Sequence, residues 1–268
     1  MNTVRTEQVE DGIVTVTLDR PDRLNAMNHE LVADLHAALD ELSTDRDCRV
    51  IVLTGAGRGF CAGLDLQGAG EPPHAEGVGA APARMTSQQH IAGLVPRLRS
   101  LRQPVIAAVN GPAAGGGLAL ALASDVRIAA PSATFNVAFV RIGLSGCDIG
   151  VSYLLPRLIG ASAAFEMLLT GRLVDAEEAQ RMGLVARVVP DEAQLLDAAL
   201  DTARQIRANS PFGLWMTKEV MWSNLEVSSL QAAIDLENRT QILTTFTDDQ
   251  GEAVQAWLEK RAPEYRYG

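Results

Sequence analysis

Three consecutive glycines, Gly115, Gly116 and Gly117, stand between a short apolar run and an apolar helix, and no other stretch constrains this chain as much. The segment is PVIAAVNGPAAGGGLALALASD, Pro104 to Asp125. Val105 to Val109 is apolar throughout and is closed by the turn residues Asn110-Gly111-Pro112, the pattern of a buried strand rather than a helix. Leu118 to Ala123 is apolar on every side, so the helix it forms has to be buried. A glycine in a helix costs about 1 kcal/mol relative to alanine, so a run of them at a helix start needs a reason. Either a ligand or another backbone comes too close for a Cβ, or the helix is tightly packed. A helix N-terminus also presents unpaired N–H groups and the positive end of the dipole, a setting that suits an anionic oxygen.

Ahead of this segment, residues 4–9 and 12–18 alternate around Asp11-Gly12 and predict a hairpin. RPDRLNAMN, Arg20 to Asn28, is a turn-rich link. Asn28 can cap a helix in which Leu31, Leu35, Leu39 and Leu42 recur at helical spacing. Arg49 to Thr54 is a second buried strand, followed by GAGRGFCAGLDL. Its glycines, Gly55, Gly57 and Gly59, are spaced GxGxG rather than GxGxxG, and no long helix opens behind them, which argues against a dinucleotide loop. Ala62-Gly63-Leu64 instead reads as a second place where main-chain N–H groups turn toward a pocket, with Asp65 able to cap the turn behind it. Gln67 to Arg84, which carries Glu71, His74 and Glu76, lacks periodicity and predicts a loop beside the pocket, a lid candidate. Thr86 to Leu101 predicts a helix with a kink at Pro96.

Beyond the glycines, 125–130 and 134–137 predict strands, and Gly143 to Gly150 a loop with a single acid, Asp148, among apolar and small residues. Asp148 could serve chemistry or cap the helix that begins at Val151. Helices follow over 161–169 and 175–182, then the strand LVARVV, then helices over 191–208, 211–222, 229–245 and 249–260. The pattern is α/β with a helical tail, divided here into a core of 1–190 and a C-terminal helical part of 191–268.

A chain of 268 residues suits one large domain or a domain with an appendage. A net charge of −10 argues against nucleic acid or an anionic membrane as partner. Only two lysines occur, Lys218 and Lys260, so an anionic ligand would depend on a few specific basic side chains. Cys48, Cys61 and Cys147, without a signal peptide or a long apolar span, predict a reducing cytoplasm. No Cys/His spacing fits a zinc site and no HExxH occurs, so no metal is expected.

RPDRLNAMN, GRGFCAGLDL, PVIAAVNGPAAGGGLALALASD, LLPRLIG, EEAQRMGLVARVV and GEAVQAWLEKR together resemble the crotonase superfamily, also called the enoyl-CoA hydratase/isomerase family. The matching pieces run from residue 20 to 261. The resemblance implies a spiral of ββα units with a C-terminal helical subdomain, assembled as trimers or dimers of trimers. It implies acyl-CoA thioester substrates, with coenzyme A entering as part of the substrate and no separate cofactor. By position in the motifs, the N–H groups of Leu64 and Gly116 would bind the thioester oxygen. Contacts to coenzyme A would fall to Arg23, Ala26, Ala62, Asp65, Leu66 and Lys260, the last from a neighbouring subunit. For Arg23 and Lys260 a plain surface charge is the competing reading.

The departures from the family pattern are as informative. Its hydratases carry a glutamate two residues after the triple glycine and another after the following strand. Here those positions are Ala119 and Phe139, and neither side chain can transfer a proton. Hydration needs a base for water and an acid for the α-carbon, so ordinary hydratase activity is not expected. Asp148 is the remaining acid–base candidate, at a loop position similar to an aspartate of the dienoyl-CoA isomerases and to the nucleophilic aspartate of the 4-chlorobenzoyl-CoA dehalogenases. The dehalogenases' helper histidine has no clean counterpart, because His90 falls about two positions out of register. The resemblance therefore leaves open an enolate-stabilising lyase or isomerase of fatty-acid type, a CoA-ester dehalogenase or hydrolase with Asp148 as nucleophile, and a non-catalytic acyl-CoA-binding protein.

Overall fold

In the computed structural model, which describes residues 3–70 and 77–266, the two long apolar runs lie side by side at the centre of a sheet. The chain opens with β1 (Val4–Glu10) and β2 (Ile13–Leu18), then α1 (His29–Thr44), β3 (Val50–Gly55), α2 (Ala80–Ala92), α3 (Leu94–Ser100) and β4 (Val105–Val109). It continues through β5 (Ala113–Ala114), α4 (Gly116–Ala123), β6 (Val126–Ala129), β7 (Thr134–Asn136), α5 (Val151–Ile159), α6 (Ala161–Thr170), β8 (Val174–Asp175), α7 (Ala176–Arg181) and β9 (Arg187–Val188). The tail is α8 (Leu195–Arg207), α9 (Pro211–Asn224), α10 (Leu230–Thr244) and α11 (Asp248–Glu259).

The main sheet has the order β1-β2-β3-β4-β6-β9, parallel except for the β1–β2 hairpin. Alternation along a strand sends neighbouring side chains to opposite faces. Ile51, Leu53, Val105, Ala107 and Val109 join the core under α1, α3 and α4, while Val50, Val52, Ile106 and Ala108 join a second core on the other face. With both faces covered, these strands read as unbroken apolar runs.

A second ladder runs beside the first. Met27 bridges Leu64, Cys61 bridges Ala113, and β5 pairs with β7, all in parallel. Each turn of the chain thus supplies a long strand to the main sheet, a short one to the second ladder, and then a helix. This is the expected spiral of ββα units.

The tail divides differently from the expected boundary at residue 191. Leu195, Ala199, Leu200 and Ala203 of α8 fill the second core, so α8 belongs to the sheet, and the appendage is α9 to α11. The appendage is pinned by Lys218 of α9, which is 7% exposed. Its Nζ pairs with Asp125 at 2.9 Å and donates to the carbonyls of Leu98 and Gln103. Burial lowers the Lys218 pKa against the opposing pull of Asp125.

Two local expectations are corrected. The break between α2 and α3 is at Gly93, which ends one helix and starts the next; Pro96 lies in the first turn of α3, where its missing N–H costs nothing. The loop expected up to Arg84 is helical from Ala80 onward. Glu71, His74 and Glu76 lie outside the described residues. Among the described residues, no helix is long and apolar enough to cross a membrane.

Candidate active site

The site lies beyond the carboxyl ends of β3 and β4, where parallel sheets of this kind leave a crevice. After β3 the chain reaches Gly63, whose φ of +92° leaves no room for a side chain: a Cβ there would stand 2.8 Å from the Ala114 carbonyl oxygen. The bridge to Met27 then fixes Leu64. Met27 N–H donates to the Gly63 carbonyl at 2.7 Å, and Asp65 N–H donates to the Met27 carbonyl at 2.9 Å. In a parallel pairing the residue between those bonds turns its own N–H to the opposite side, so the Leu64 amide faces away from Met27.

The other junction is the glycine run. Gly115 (φ +51°) caps α4 without a side chain, and its own N–H donates to the Asn136 carbonyl. Gly116 is the first residue of the helix, where an N–H has no partner within the helix. Among the described residues, neither the Leu64 nor the Gly116 amide donates to a protein acceptor. The position a Gly63 Cβ would take is 3.6 Å from the Gly116 nitrogen, so the two junctions converge.

Protein atoms, rather than a ligand, exclude the side chains of the run. A Cβ on Gly116 would fall 1.9 Å from Met27 Cε, one on Gly117 2.0 Å from the Cys61 carbonyl oxygen, and one on Gly115 3.2 Å from the Phe139 ring. Tight packing and amide presentation are therefore two results of the same glycines.

Ala62, Leu64, Leu66, Gly116 and Asp148 line one cavity of about 120 Å³. Met27, Ile91, Phe139 and Ile149 belong to its apolar wall. A larger hollow of about 640 Å³ among α9, α10 and α11 holds neither amide nor Asp148. Among the described residues, Asp148 is the only lining residue with a titratable side chain. It does not cap α5: that place is taken by Gly150 in a left-handed conformation, while the Asp148 main-chain carbonyl accepts from Val151 N–H at 2.8 Å. Its carboxylate is half-buried, and its Oδ1 accepts from Ile149 N–H at 2.8 Å and from Gln88 Nε2 at 2.5 Å. Burial raises the Asp148 pKa above the ordinary aspartate value, and the two donors oppose that shift.

Four of the residues named from sequence do not line the cavity. Asp65 is turned inward, 4% exposed, with Oδ2 2.9 Å from Arg20 and Oδ1 accepting from Gln67 N–H and Gly68 N–H. Burial raises its pKa, but these bonds outweigh that and the result is lowered. Asp65 is thus the cap of the Leu64 turn rather than a ligand-facing group. Ala26 is buried, with its carbonyl accepting from Arg20 Nη1. Arg23 is exposed and donates to Gln67 Oε1 at 3.0 Å. Lys260 is an exposed left-handed cap at the end of α11.

The residue that sequence reasoning missed is Gln88. His90, two positions on, is stacked on His36 with ring centroids 4.7 Å apart, and its carbonyl lies 2.9 Å from His36 Nε2. The helical phase that places Ile91 in the cavity wall places Gln88, three residues earlier, on the same face. That spacing was the available signal. Among the described residues, no three His, Cys, Asp or Glu side chains gather as metal ligands would.

Two uncommitted amides beside one carboxylate in an apolar cavity can hold an oxygen that gains negative charge and move one proton next to it. Fold and site together define a ββα spiral built around an apolar cavity that holds two uncommitted main-chain amides and one carboxylate. The chain belongs to the enoyl-CoA hydratase/isomerase family of the crotonase superfamily, whose sequence model matches residues 8–267. It is 47% identical over 261 residues to "Probable enoyl-CoA hydratase EchA12" of Mycobacterium tuberculosis, covering 97% of this chain and 91% of that protein. It is 42% identical over 258 residues to the 1,2-epoxyphenylacetyl-CoA isomerase of Escherichia coli K12, covering 96% of each. A crystal structure of an enoyl-CoA hydratase from Bacillus anthracis superposes with a TM-score of 0.91 at 32% identity, over 99% of this chain and 100% of that one. The crystal structure of "a probable enoyl-CoA hydratase/isomerase" from Mycobacterium abscessus does so with a TM-score of 0.93 at 40% identity, over 100% and 99%.

Proposed function

We propose that the protein is an acyl-CoA isomerase that moves a double bond through a thioester enolate, using Asp148 as its one proton carrier. The observation that carries this reading is the cavity wall, which among the described residues has a single titratable side chain, Asp148, and two free amides. The hydratase positions, Ala119 and Phe139, are 0% and 6% exposed and have no acidic group. A 1,3-shift needs only one carboxylate. Asp148 takes the α-proton of a β,γ-unsaturated thioester, and the electron pair of the broken C–H bond spreads over the dienolate. The thioester oxygen bears the charge between the Leu64 and Gly116 N–H groups. Asp148 then returns the proton to the γ-carbon, which leaves an α,β-unsaturated thioester and a regenerated carboxylate. Each such preorganised donor is worth about 3–4 kcal/mol in enzymes where it has been removed. The name of the isomerase relative supports both a CoA thioester and an isomerisation.

Arg23 and Lys260, exposed and outside the cavity, are assigned to the phosphates of coenzyme A, Lys260 across a subunit boundary. We place the protein in the cytoplasm, in keeping with three free cysteines. A panel of enoyl-CoA esters read by mass spectrometry and ultraviolet absorbance tests the reading. Asp148→Asn should lower turnover by about 10²–10⁴-fold and leave acyl-CoA binding within a few-fold. Crotonyl-CoA hydration at about 10² s⁻¹ or faster would show that a second acid–base group had been overlooked. Tight binding with no turnover of any ester would identify a binding protein instead.

A further inference from the structure

We propose that Gln88 is a positioning residue that makes Asp148 a one-oxygen proton carrier; the proposal rests on the isomerase reading above. Asp148 stands on the 143–150 loop and Gln88 on α2, both lining the cavity and 60 residues apart in sequence. The Gln88 amide nitrogen lies 2.5 Å from Oδ1, and the Ile149 amide lies 2.8 Å from the same oxygen. Oδ2 accepts from no donor among the described residues. Two N–H donors on one carboxylate oxygen lower its basicity, so the transferred proton goes to the other.

The main chain holds this arrangement from the other side. Ile149 has a φ of +46°, which a β-branched residue adopts only against strain, and Gly150 follows at +77°. Together they aim the Ile149 N–H back at Oδ1, while the Val151 N–H ties the Asp148 carbonyl to the start of α5. That leaves rotation about the Asp148 side chain as the remaining freedom. The Gln88 bond removes it, because a rotated carboxylate would lose its donor from α2.

An amide also differs in kind from a histidine at this place. It neither gains nor loses a proton near neutral pH, so it cannot pass the α-proton to solvent. The proton taken from Cα stays on Oδ2 and goes back to Cγ of the same molecule. Gln88 therefore favours internal return over exchange, and it keeps the base ionised by donating to it.

The test uses the full-length protein and the variants Gln88→Leu and Gln88→Glu. Gln88 is exposed, so neither change disturbs a core. The first readout needs no substrate: the carboxyl titration of Asp148, followed by NMR on protein labelled with ¹³C at aspartate Cγ and assigned through Asp148→Asn. The Asp148 midpoint should rise in Gln88→Leu, which removes the donor, and rise further in Gln88→Glu, which adds a like charge. An unchanged midpoint in both variants overturns the proposal. The second readout is isomerisation of trans-3-hexenoyl-CoA in D₂O. For Gln88→Leu, kcat should fall by about tenfold with KM within twofold, and less of the substrate's α-hydrogen should be recovered at Cγ. Wild-type kcat together with wild-type hydrogen retention in Gln88→Leu also overturns it. If Asp148→Asn keeps full turnover, the isomerase reading fails, and the NMR midpoint alone then decides whether Gln88 holds the carboxylate.

Discussion

Asp148 and Asp65 are the same residue type, within one site region, with opposite electrostatics. Asp65 lies against the Arg20 guanidinium and two main-chain N–H groups, which hold its pKa down despite burial. Asp148 has no cationic partner in its hydrogen-bond set, and desolvation pushes it up. Such a split separates a carboxylate that stabilises the fold from one poised to exchange a proton. The working form of Asp148 is the ionised one, so activity should be present above its raised pKa and lost as pH falls through it. The acid limb of kcat/KM should therefore lie above about 3.9, where an unperturbed aspartate titrates. A stopped-flow pH profile checks this, and a limb at or below that value would contradict the burial argument. The sequence singled out Asp148 as a lone acid among apolar residues. It could not separate Asp65's capping role from a contact to coenzyme A, because the Arg20 partner is 45 residues away.

The junction between β5 and α4 is where backbone geometry and packing meet. Gly117 is locked by the Cys61 carbonyl, 2.0 Å from where a Cβ would be, whereas Gly251 in α11 has open space around it. Gly117→Ala should therefore destabilise by about 1–3 kcal/mol through overpacking. Gly251→Ala should stabilise by about 0.5–1 kcal/mol through helix propensity alone. Thermal melts of the two variants should shift in opposite directions. Strand β2 was legible from alternation around Asp11-Gly12, and β3 and β4 as runs of apolar residues closed by turn residues. Strand β9 lies within the expected strand LVARVV, whereas β8, of two residues, has no local signal, since a pairing that short depends on what the neighbouring strand offers. The break at Gly93 was misplaced to Pro96 because proline breaks helices in their interiors and not in their first turns.

The protomer leaves one side unfinished. No residue of α10 is buried. Leu230, Phe246, Trp257 and Leu258 are 77%, 83%, 78% and 67% exposed on the appendage. Apolar side chains in such numbers mark a surface that another molecule covers, and a symmetric homo-oligomer is the commonest arrangement. Sedimentation should give a trimer or hexamer, and Phe246→Glu combined with Trp257→Glu should shift it toward monomer. A monomeric wild type would remove Lys260 from any shared site.

Local chemistry settled the long strands, the helix caps and the glycine turns, since each depends on residues within a few positions of one another. Closure of the chain settled the rest. Gln88 reaches Asp148 across 60 residues, Trp222 reaches Asp125 across 97, and α8 returns to the far face of the sheet. No local pattern encodes such meetings, because a hydrogen bond between distant segments exists only after packing has brought both to the same place.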